Sequence, residues 1–292
     1  MSENTKQPGG FDPAAMAASL THINEGFMHE ALRPHPVIEG YPVANDRQLA
    51  ESYQVAAERM PDPSEGKQGV VLLVGNGAFE MAAQMLPPEH AFVICANGAT
   101  TLGIQRVILE TIRNCPTVEE FQEAIHGFDE EFARLQLAAD PSATPLSPVS
   151  SRYEGQQVKW NDSVIPYFLT SEDAYTAARD ALADRPIAFR QIDLREVDEV
   201  DALAADLTAQ NAEVVGANVT NVYGLGWAQP DAGNELVQRL PFHADAPILD
   251  SVGGTMNSEV YTQEDWVARN EQLISDAALL QIPLRYRPWP GQ

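Results

Sequence analysis

A glycine turn between a strand and a helix is the stretch of this chain best suited to chemistry. Residues 70–74 are an unbroken aliphatic run, which predicts a strand buried on both faces. Gly75, Asn76 and Gly77 follow directly, and an apolar helical stretch spans residues 79–86. Glycines let the backbone approach a ligand closely, and the first amides of a helix can bind polar or anionic ligand atoms. This arrangement predicts a nucleotide-binding turn.

The turn matches only part of the known glycine-rich motifs. Gly75 and Gly77 occupy the first two positions of G-x-G-x-x-G, but Glu80 stands where the third glycine would be. No Lys-Ser/Thr pair follows, as a phosphate-binding loop requires. The alternative is an ordinary tight turn from strand to helix. The strand before the turn and a second strand after it favour the nucleotide site.

Polar residues follow several other predicted strands. In an open α/β sheet, ligands bind beyond the carboxyl ends of the strands, near the point where the strand order reverses. The residues at these ends are polar but almost uncharged, and they include no cysteine or histidine nucleophile and no paired carboxylates. Asp193 is the only charged one, and it could instead cap the next helix. The candidate residues are Gly75, Asn76, Gly77, Asn97, Asp193, Leu194, Asn218, Asn221 and Tyr223.

The elements that must position these residues alternate between strand and helix patterns. This rhythm predicts an α/β fold with a doubly wound, parallel sheet. Thr117 and Glu120 form a capping box that starts one of the helices. The predicted strands are 70–74, 91–95, 187–192, 213–219, 247–252 and 279–286. The predicted helices are 13–32, 47–60, 79–86, 100–113, one from 117, 171–184, 197–210, 233–240 and 262–278.

Two helical parts accompany the sheet. Residues 1–66 are predicted to form a tail and a helical lid, and residues 67–292 a Rossmann-like domain with a helical insertion at about 99–185. The helices before the sheet could equally pack on its edge without a substrate role, and both helical parts could form a homodimer interface. The insertion could enclose a substrate between Trp160, Tyr167 and Phe168. For each aromatic alone, ordinary core packing is the favoured interpretation.

The composition narrows the classes of partner. The chain has 42 acidic and 18 basic residues and a net charge of −24. Such a surface repels phosphate backbones and anionic membranes, so we expect a small-molecule substrate, no nucleic acid and no membrane partner. Adaptation to salt would explain the acidity equally well. No apolar run approaches the roughly 20 residues that span a bilayer, and a cytoplasmic location is predicted.

No metal site is expected. His22, Glu25 and His29 share one face of the first predicted helix, but they lack the i, i+4 histidine pair and a further obvious ligand. Only two cysteines are present, Cys95 and Cys115, so no disulfide framework is implied.

Three stretches resemble motifs of class I S-adenosylmethionine-dependent methyltransferases. Residues 70–79 resemble the first motif of that family, a hydrophobic strand followed by G-x-G. Residues 192–194 resemble the acid-bearing end of the third strand, and residues 217–223 the motif of the fourth strand. The resemblance covers roughly residues 68–290 and implies a Rossmann-like, methyltransferase-like fold that binds S-adenosylmethionine.

The resemblance also implies a role for each candidate residue. Gly75, Asn76 and Gly77 would lie against the methionine part of the cofactor. Asn97, where the family usually carries an acid, would bind the ribose. Asp193 and Leu194 would contact the adenine. The resemblance implies that the region around the sulfonium is formed by Asn218, Asn221 and Tyr223.

The function that the resemblance implies is methyl transfer to a small molecule. Because no general base is evident, an acceptor that needs little deprotonation is expected, such as an amine or a carboxylate. The first alternative is release of methylthioadenosine, by cyclisation as in azetidine-2-carboxylate synthases or by aminocarboxypropyl transfer. A second alternative is a non-catalytic binding protein on the same fold, favoured by the missing acids. Glu80 and Asn97 count against the remaining alternative, a nicotinamide dehydrogenase.

Overall fold

The structure, a computed structural model, describes residues 49–74, 78–96, 99–139, 141, 150, 167–194, 196–220, 230–251 and 258–279. These ranges contain eight helices and six strands. The helices are α1 (Leu49–Arg59), α2 (Phe79–Met85), α3 (Ala99–Asn114), α4 (Val118–Ala139), α5 (Glu172–Ala183), α6 (Val197–Ala209), α7 (Pro230–Arg239) and α8 (Gln263–Leu279). The strands are β1 (Gln68–Val74), β2 (Ala91–Ala96), β3 (Ile187–Gln191), β4 (Ala212–Asn218), β5 (Ile248–Ser251) and β6 (Ser258–Tyr261).

The six strands form one sheet in the order β3-β2-β1-β4-β5-β6. Strands β1 to β5 run parallel, and β6 pairs with β5 in the antiparallel direction. The order reverses at β1, which lies between β2 and β4. The predicted α/β fold is confirmed: the architecture is a doubly wound, methyltransferase-like Rossmann fold.

The sheet is buried on both faces because its strands are aliphatic throughout. In β1, Val71 and Leu73 belong to one core cluster, while Val70 and Leu72 belong to the other. Helices α1 to α5 cover the first face, and α6, α7 and α8 cover the second. The continuous apolar run of β1 therefore supplies both cores.

Helix α1 belongs to the helical layer over the first face. Its Tyr53 is completely buried, and Leu49, Ala50 and Ala56 join the same core cluster as β1. The part of the predicted lid that the structure describes is thus packed on the sheet. The helix predicted at 13–32, with His22, Glu25 and His29, lies outside the described residues. The division at residue 66 stays a prediction.

The predicted insertion is the crossover from β2 to β3, and its helices α3, α4 and α5 lie on the first face of the sheet. Tyr167 and Phe168 are both buried there. Their rings contact each other with centroids 5.0 Å apart, and Phe168 also packs edge-on against Phe121 at 5.6 Å. Trp160 lies outside the described residues. The structure thus places both described aromatics in the core.

Two differences from the predicted elements occur near the chain end. Strand β6 was not predicted. The closing strand predicted at 279–286 overlaps α8, whose last residue is Leu279, and its other residues lie outside the described ranges. Within these ranges, no helix combines the length and apolar character needed to cross a bilayer. The cytoplasmic location stays a prediction.

Arg185 joins the start of β3 to the unit formed by β1, α2 and β2. Its buried guanidinium donates hydrogen bonds of 2.9 to 3.1 Å to four backbone carbonyls and lies 4.4 Å from the centre of the Phe92 ring. Burial lowers the pKa of Arg185 to about 10, so the side chain stays charged at neutral pH. The four carbonyls belong to Ala83, Leu86, Pro87 and His90.

Candidate functional site

The carboxyl ends of four parallel strands meet at one edge of the sheet. The pairing places Val74 beside Cys95, Ala96 beside Gln191, and Leu73 beside Asn218. The loops that follow these strands therefore start from the same edge, at the point where the strand order reverses. Ligands bind at this position in open α/β sheets. Among the predicted site residues, Gly75, Asn76, Gly77, Asn97, Asn221 and Tyr223 lie outside the described residues.

Asn218 ends β4 and is buried. Its Nδ2 donates a 2.8 Å hydrogen bond to the hydroxyl of Tyr53 in α1. Its Oδ1 accepts from the backbone N–H of Thr220 at 3.0 Å and from the Thr220 hydroxyl. The carboxamide therefore fixes the first residues after β4 and joins them to α1. Its predicted contact with the cofactor stays a prediction.

Asp193 and Leu194 lie just beyond β3. The Ile192 N–H donates to the Ala96 carbonyl at 2.9 Å, which extends the β2–β3 pairing up to Asp193. The Asp193 N–H donates to Glu199 Oε2 at 2.7 Å, and the Asp193 side chain is half-buried. Leu194 is buried in the core beneath α6. Of this pair, Asp193 is the one whose side chain reaches solvent.

Glu80 is a buried carboxyl at this edge that the sequence patterns did not identify as a site residue. It is the second residue of α2, and the helix follows Ala78, whose backbone is left-handed with φ 41° and ψ 57°. The Glu80 side chain is buried, and among the described residues its Oε1 atom has no hydrogen-bond partner. Burial raises its pKa to about 7, although a hydrogen bond from its own backbone N–H lowers it. Glu80 can therefore exchange a proton near neutral pH.

Helix α2 packs against α1 and α5, and Glu80 is buried within this helical layer. Tyr167, just before α5, lies within electrostatic range of the carboxyl. Burial raises the pKa of Tyr167, and the charge of Glu80 raises it further. The Tyr167 hydroxyl therefore stays protonated at neutral pH. Among the described residues, Tyr167 is thus the titratable neighbour whose pKa responds to Glu80.

The described side chains at this edge act mainly as acceptors of hydrogen bonds and of protons. Cys95 is the next-to-last residue of β2, but burial raises the pKa of its thiol to about 12, so it is not a thiolate nucleophile. Within the described ranges, no three histidine, cysteine, aspartate or glutamate side chains are close enough to bind a metal ion together. Glu80 and Asp193 are two acidic residues that the structure describes near this edge.

Comparison with known proteins gives a similarity of fold. No protein-family model matches the sequence, and no curated protein matches it. A solved structure that is similar is the rRNA methyltransferase aviRa from Streptomyces viridochromogenes, with a TM-score of 0.40 and 16% sequence identity over 75% of this chain and 80% of that chain. This finding overturns the prediction that nucleic acid is excluded as a partner. That prediction rested on net charge alone, and it is withdrawn.

Proposed function

We propose that this chain is an S-adenosylmethionine-dependent methyltransferase. One observation carries the proposal: β1, β3 and β4 all end at one edge of the sheet, and the three stretches that resemble the methyltransferase family lie at these ends. The reversal of strand order at β1 makes this edge the expected binding crevice. The sequence places Gly75 and Gly77 immediately after β1.

The described residues fit the chemical character of this cofactor. Its adenine amino group, ribose hydroxyls and ammonium are hydrogen-bond donors, and the groups at this edge are largely acceptors. Asp193 offers a half-buried carboxylate for the adenine, and Glu80 offers a carboxyl oxygen without a partner among the described residues. When bound, S-adenosylmethionine supplies an activated methyl group.

The residues of the site act mainly by positioning under this proposal. Alignment of the acceptor with the bond that breaks lowers the barrier without any covalent step on the protein. The hydrogen bonds of Asn218 to Tyr53 and Thr220 fix the backbone beside the predicted sulfonium region. A small-molecule acceptor stays a prediction, and RNA belongs among the acceptors to be tested.

One observation favours a second candidate function, the release of methylthioadenosine by intramolecular attack. In that reaction the amino group of the cofactor must lose a proton before it attacks its own carbon chain. Glu80, with a pKa of about 7, could accept that proton. The sequence alone offered no such base.

The experiment that separates these functions starts with calorimetric titration of S-adenosylmethionine. Mass spectrometry of the incubated mixture, without any acceptor, then identifies the products. Binding with unchanged cofactor supports the methyltransferase, whose acceptor is then sought with total RNA and with a small-molecule extract. Methylthioadenosine with a cyclic amino acid supports the second candidate. Absence of binding contradicts both.

We predict that Asp193→Ala weakens the binding of S-adenosylmethionine by roughly tenfold or more. The reason is that a hydrogen bond between a donor and a carboxylate contributes on the order of 1.5–3 kcal/mol. The matched control is Asp184→Ala, which removes an exposed carboxylate just before the opposite end of the same strand. Equal affinity of the two variants would place the adenine elsewhere.

A further inference from the structure

Glu80 differs from the other buried charged side chains that the structure describes. Glu213 accepts hydrogen bonds from the Ser64 N–H, the Ser64 hydroxyl and Lys67 Nζ, at 2.8 to 3.0 Å. Asp250 accepts from Trp266 Nε1 at 3.0 Å and from Arg269 Nη1 at 2.7 Å. Arg185 donates to four backbone carbonyls. Each of these groups has its opposite charge or its hydrogen bonds within the fold.

Glu80 has no comparable support. Its side chain is only 2% exposed, and its Oε1 atom lacks a hydrogen-bond partner among the described residues. The amide of Gln84, one turn further along α2, donates to the Glu80 backbone carbonyl and not to the carboxyl group. A buried carboxyl in this state destabilises a fold. The packing of the described residues therefore gives no reason for an acid at this position.

The position of Glu80 connects it with the candidate binding edge. Only the three residues 75–77 and Ala78 with Phe79 separate it from the last residue of β1. A carboxylate buried at such an edge attracts a cationic group strongly, because little water screens the interaction.

We propose that the Glu80 carboxylate binds a positively charged group of the ligand at this edge. The inference rests on the proposed function, in which the ligand is S-adenosylmethionine, a molecule with two such groups: an ammonium and a sulfonium. Either group would supply the partner that Glu80 Oε1 lacks among the described residues. Glu80 then serves ligand recognition, and its burial at the edge is explained.

Three nucleosides that carry different numbers of these cations test the proposal, although methylthioadenosine also lacks the rest of the amino acid chain. S-adenosylmethionine carries both cations, S-adenosylhomocysteine carries the ammonium alone, and methylthioadenosine carries neither. We expect Glu80→Gln to lower the affinity for S-adenosylmethionine by at least tenfold and to change that for methylthioadenosine by less than twofold. An equal loss for S-adenosylhomocysteine identifies the ammonium as the partner; no loss for it identifies the sulfonium.

Two further variants separate this role from an effect on the fold. Glu80→Asp keeps the charge but moves it back by one methylene, and we expect an intermediate loss with the same order among the three nucleosides. Glu213→Gln removes a buried carboxylate at the start of β4, near the opposite edge, and we expect it to leave all three affinities unchanged. If Glu213→Gln and Glu80→Gln changed the affinities for the three nucleosides in the same way, the proposal would be overturned.

The outcomes for the unaltered chain keep the two proposals apart. If it binds S-adenosylmethionine and Glu80→Gln binds it equally well, or loses affinity equally for all three nucleosides, only the role of Glu80 is contradicted. If the unaltered chain binds none of the three, the proposed function is contradicted, and the role of Glu80 that rests on it falls as well.

Discussion

Two buried glutamates at opposite edges of the sheet have pKa values shifted in opposite directions. At Glu80, burial raises the pKa from 4.5 to about 7. At Glu213, burial acts in the same direction, but the hydrogen bonds from Ser64 and Lys67 outweigh it and lower the pKa below 4.5. The difference follows from the deeper burial of Glu80 and from the hydrogen-bond partners of Glu213, which Glu80 Oε1 lacks among the described residues. Glu213 is therefore the natural control for Glu80.

We predict that Glu80→Gln makes the protein more stable at pH 8. Because the pKa of Glu80 is higher in the folded state, its contribution to stability is fully present below pH 4.5 and is lost as the pH rises through about 7. At about 1.4 kcal/mol for each pKa unit, the loss is on the order of 3 kcal/mol. Urea unfolding of both proteins between pH 4.5 and 8 measures it, and the gain should vanish toward pH 4.5.

The same measurement on Glu213→Gln should give the opposite sign. The lowered pKa of Glu213 means that its contribution is present above pH 4.5 and is lost as the pH falls through its folded-state pKa. Its removal should therefore destabilise the protein at neutral pH. If both glutamine variants shift stability in the same direction at pH 8, the assignment of Glu80 as an unsupported acid is wrong.

The sequence identified the edge that carries the candidate site but not this residue. In the sequence, Glu80 stands out only as a mismatch to the third glycine of G-x-G-x-x-G. Its burial depends on the packing of α2 against α5, whose residues lie about ninety positions further along the chain, and no local pattern contains that information. Asn218 was identified from its place at the carboxyl end of an aliphatic strand. Its hydrogen bond to Tyr53 also joins distant parts of the chain.

Elements with a strong local pattern were predicted to within a few residues. The helix predicted from 171 begins at Glu172, and the Ser171 hydroxyl accepts a hydrogen bond from the Ala174 N–H at 3.1 Å. The helix started by the capping box begins at Val118, and Thr117 Oγ1 accepts from the Glu120 N–H at 3.2 Å. Caps of this kind depend on residues three apart, which a sequence shows directly.

Strand β6 shows what such patterns miss. Its four residues, Ser-Glu-Val-Tyr, contain no aliphatic run. The strand exists because it pairs with β5 as the outermost strand of the sheet. Tyr261 pairs with Ile248, and Ser258 with Ser251. Edge strands this short take their structure from the neighbouring strand more than from their own propensity.

We predict that Gly69→Ala lowers the free energy of unfolding by about 1–3 kcal/mol, the usual result of overpacking. A Cβ atom on Gly69 would lie 2.4 Å from Nδ1 and 2.9 Å from Cε1 of His90. His90 is buried, and its backbone carbonyl accepts a hydrogen bond from Arg185. The ring therefore has little room to move. Urea unfolding at pH 7.5 gives the change.

The control for this substitution is Gly127→Ala in the middle of α4. A Cβ atom there would meet nothing within 4 Å. Because alanine favours a helix over glycine, this variant should be more stable by roughly 0.5–1 kcal/mol. If Gly69→Ala also stabilises the protein, the close approach of β1 to His90 does not restrict this position.

The whole molecule carries a net charge of −24, and its folded state concentrates that charge. We predict that sodium chloride raises the free energy of unfolding between about 0.05 and 0.5 M, because salt screens the repulsion among the carboxylates. Most of the gain should come as the Debye length falls below about 10 Å, near 0.1 M. Urea unfolding at each salt concentration measures the effect.

Sodium sulfate at equal ionic strength distinguishes screening from the exclusion of salt from the surface. Screening depends on ionic strength, whereas exclusion is stronger for sulfate than for chloride. Equal gains in the two salts support screening. A gain in sulfate alone would show that repulsion within the folded chain is weak and that the acidic surface has little influence on stability.

Arg185 also has a consequence for how the chain can be divided. It binds the carbonyls of Ala83, Leu86, Pro87 and His90 from a position about one hundred residues later, and β3 pairs with β2 directly beside it. The segment that ends with α4 and the segment that begins with α5 therefore associate through Arg185 and the β2–β3 pairing. A break of the chain between α4 and α5 leaves both of these interactions intact. Two separately produced fragments divided there should reassemble into one folded protein. If the fragment that contains α5 carries Arg185→Ala, it should reassemble with the other fragment far less well.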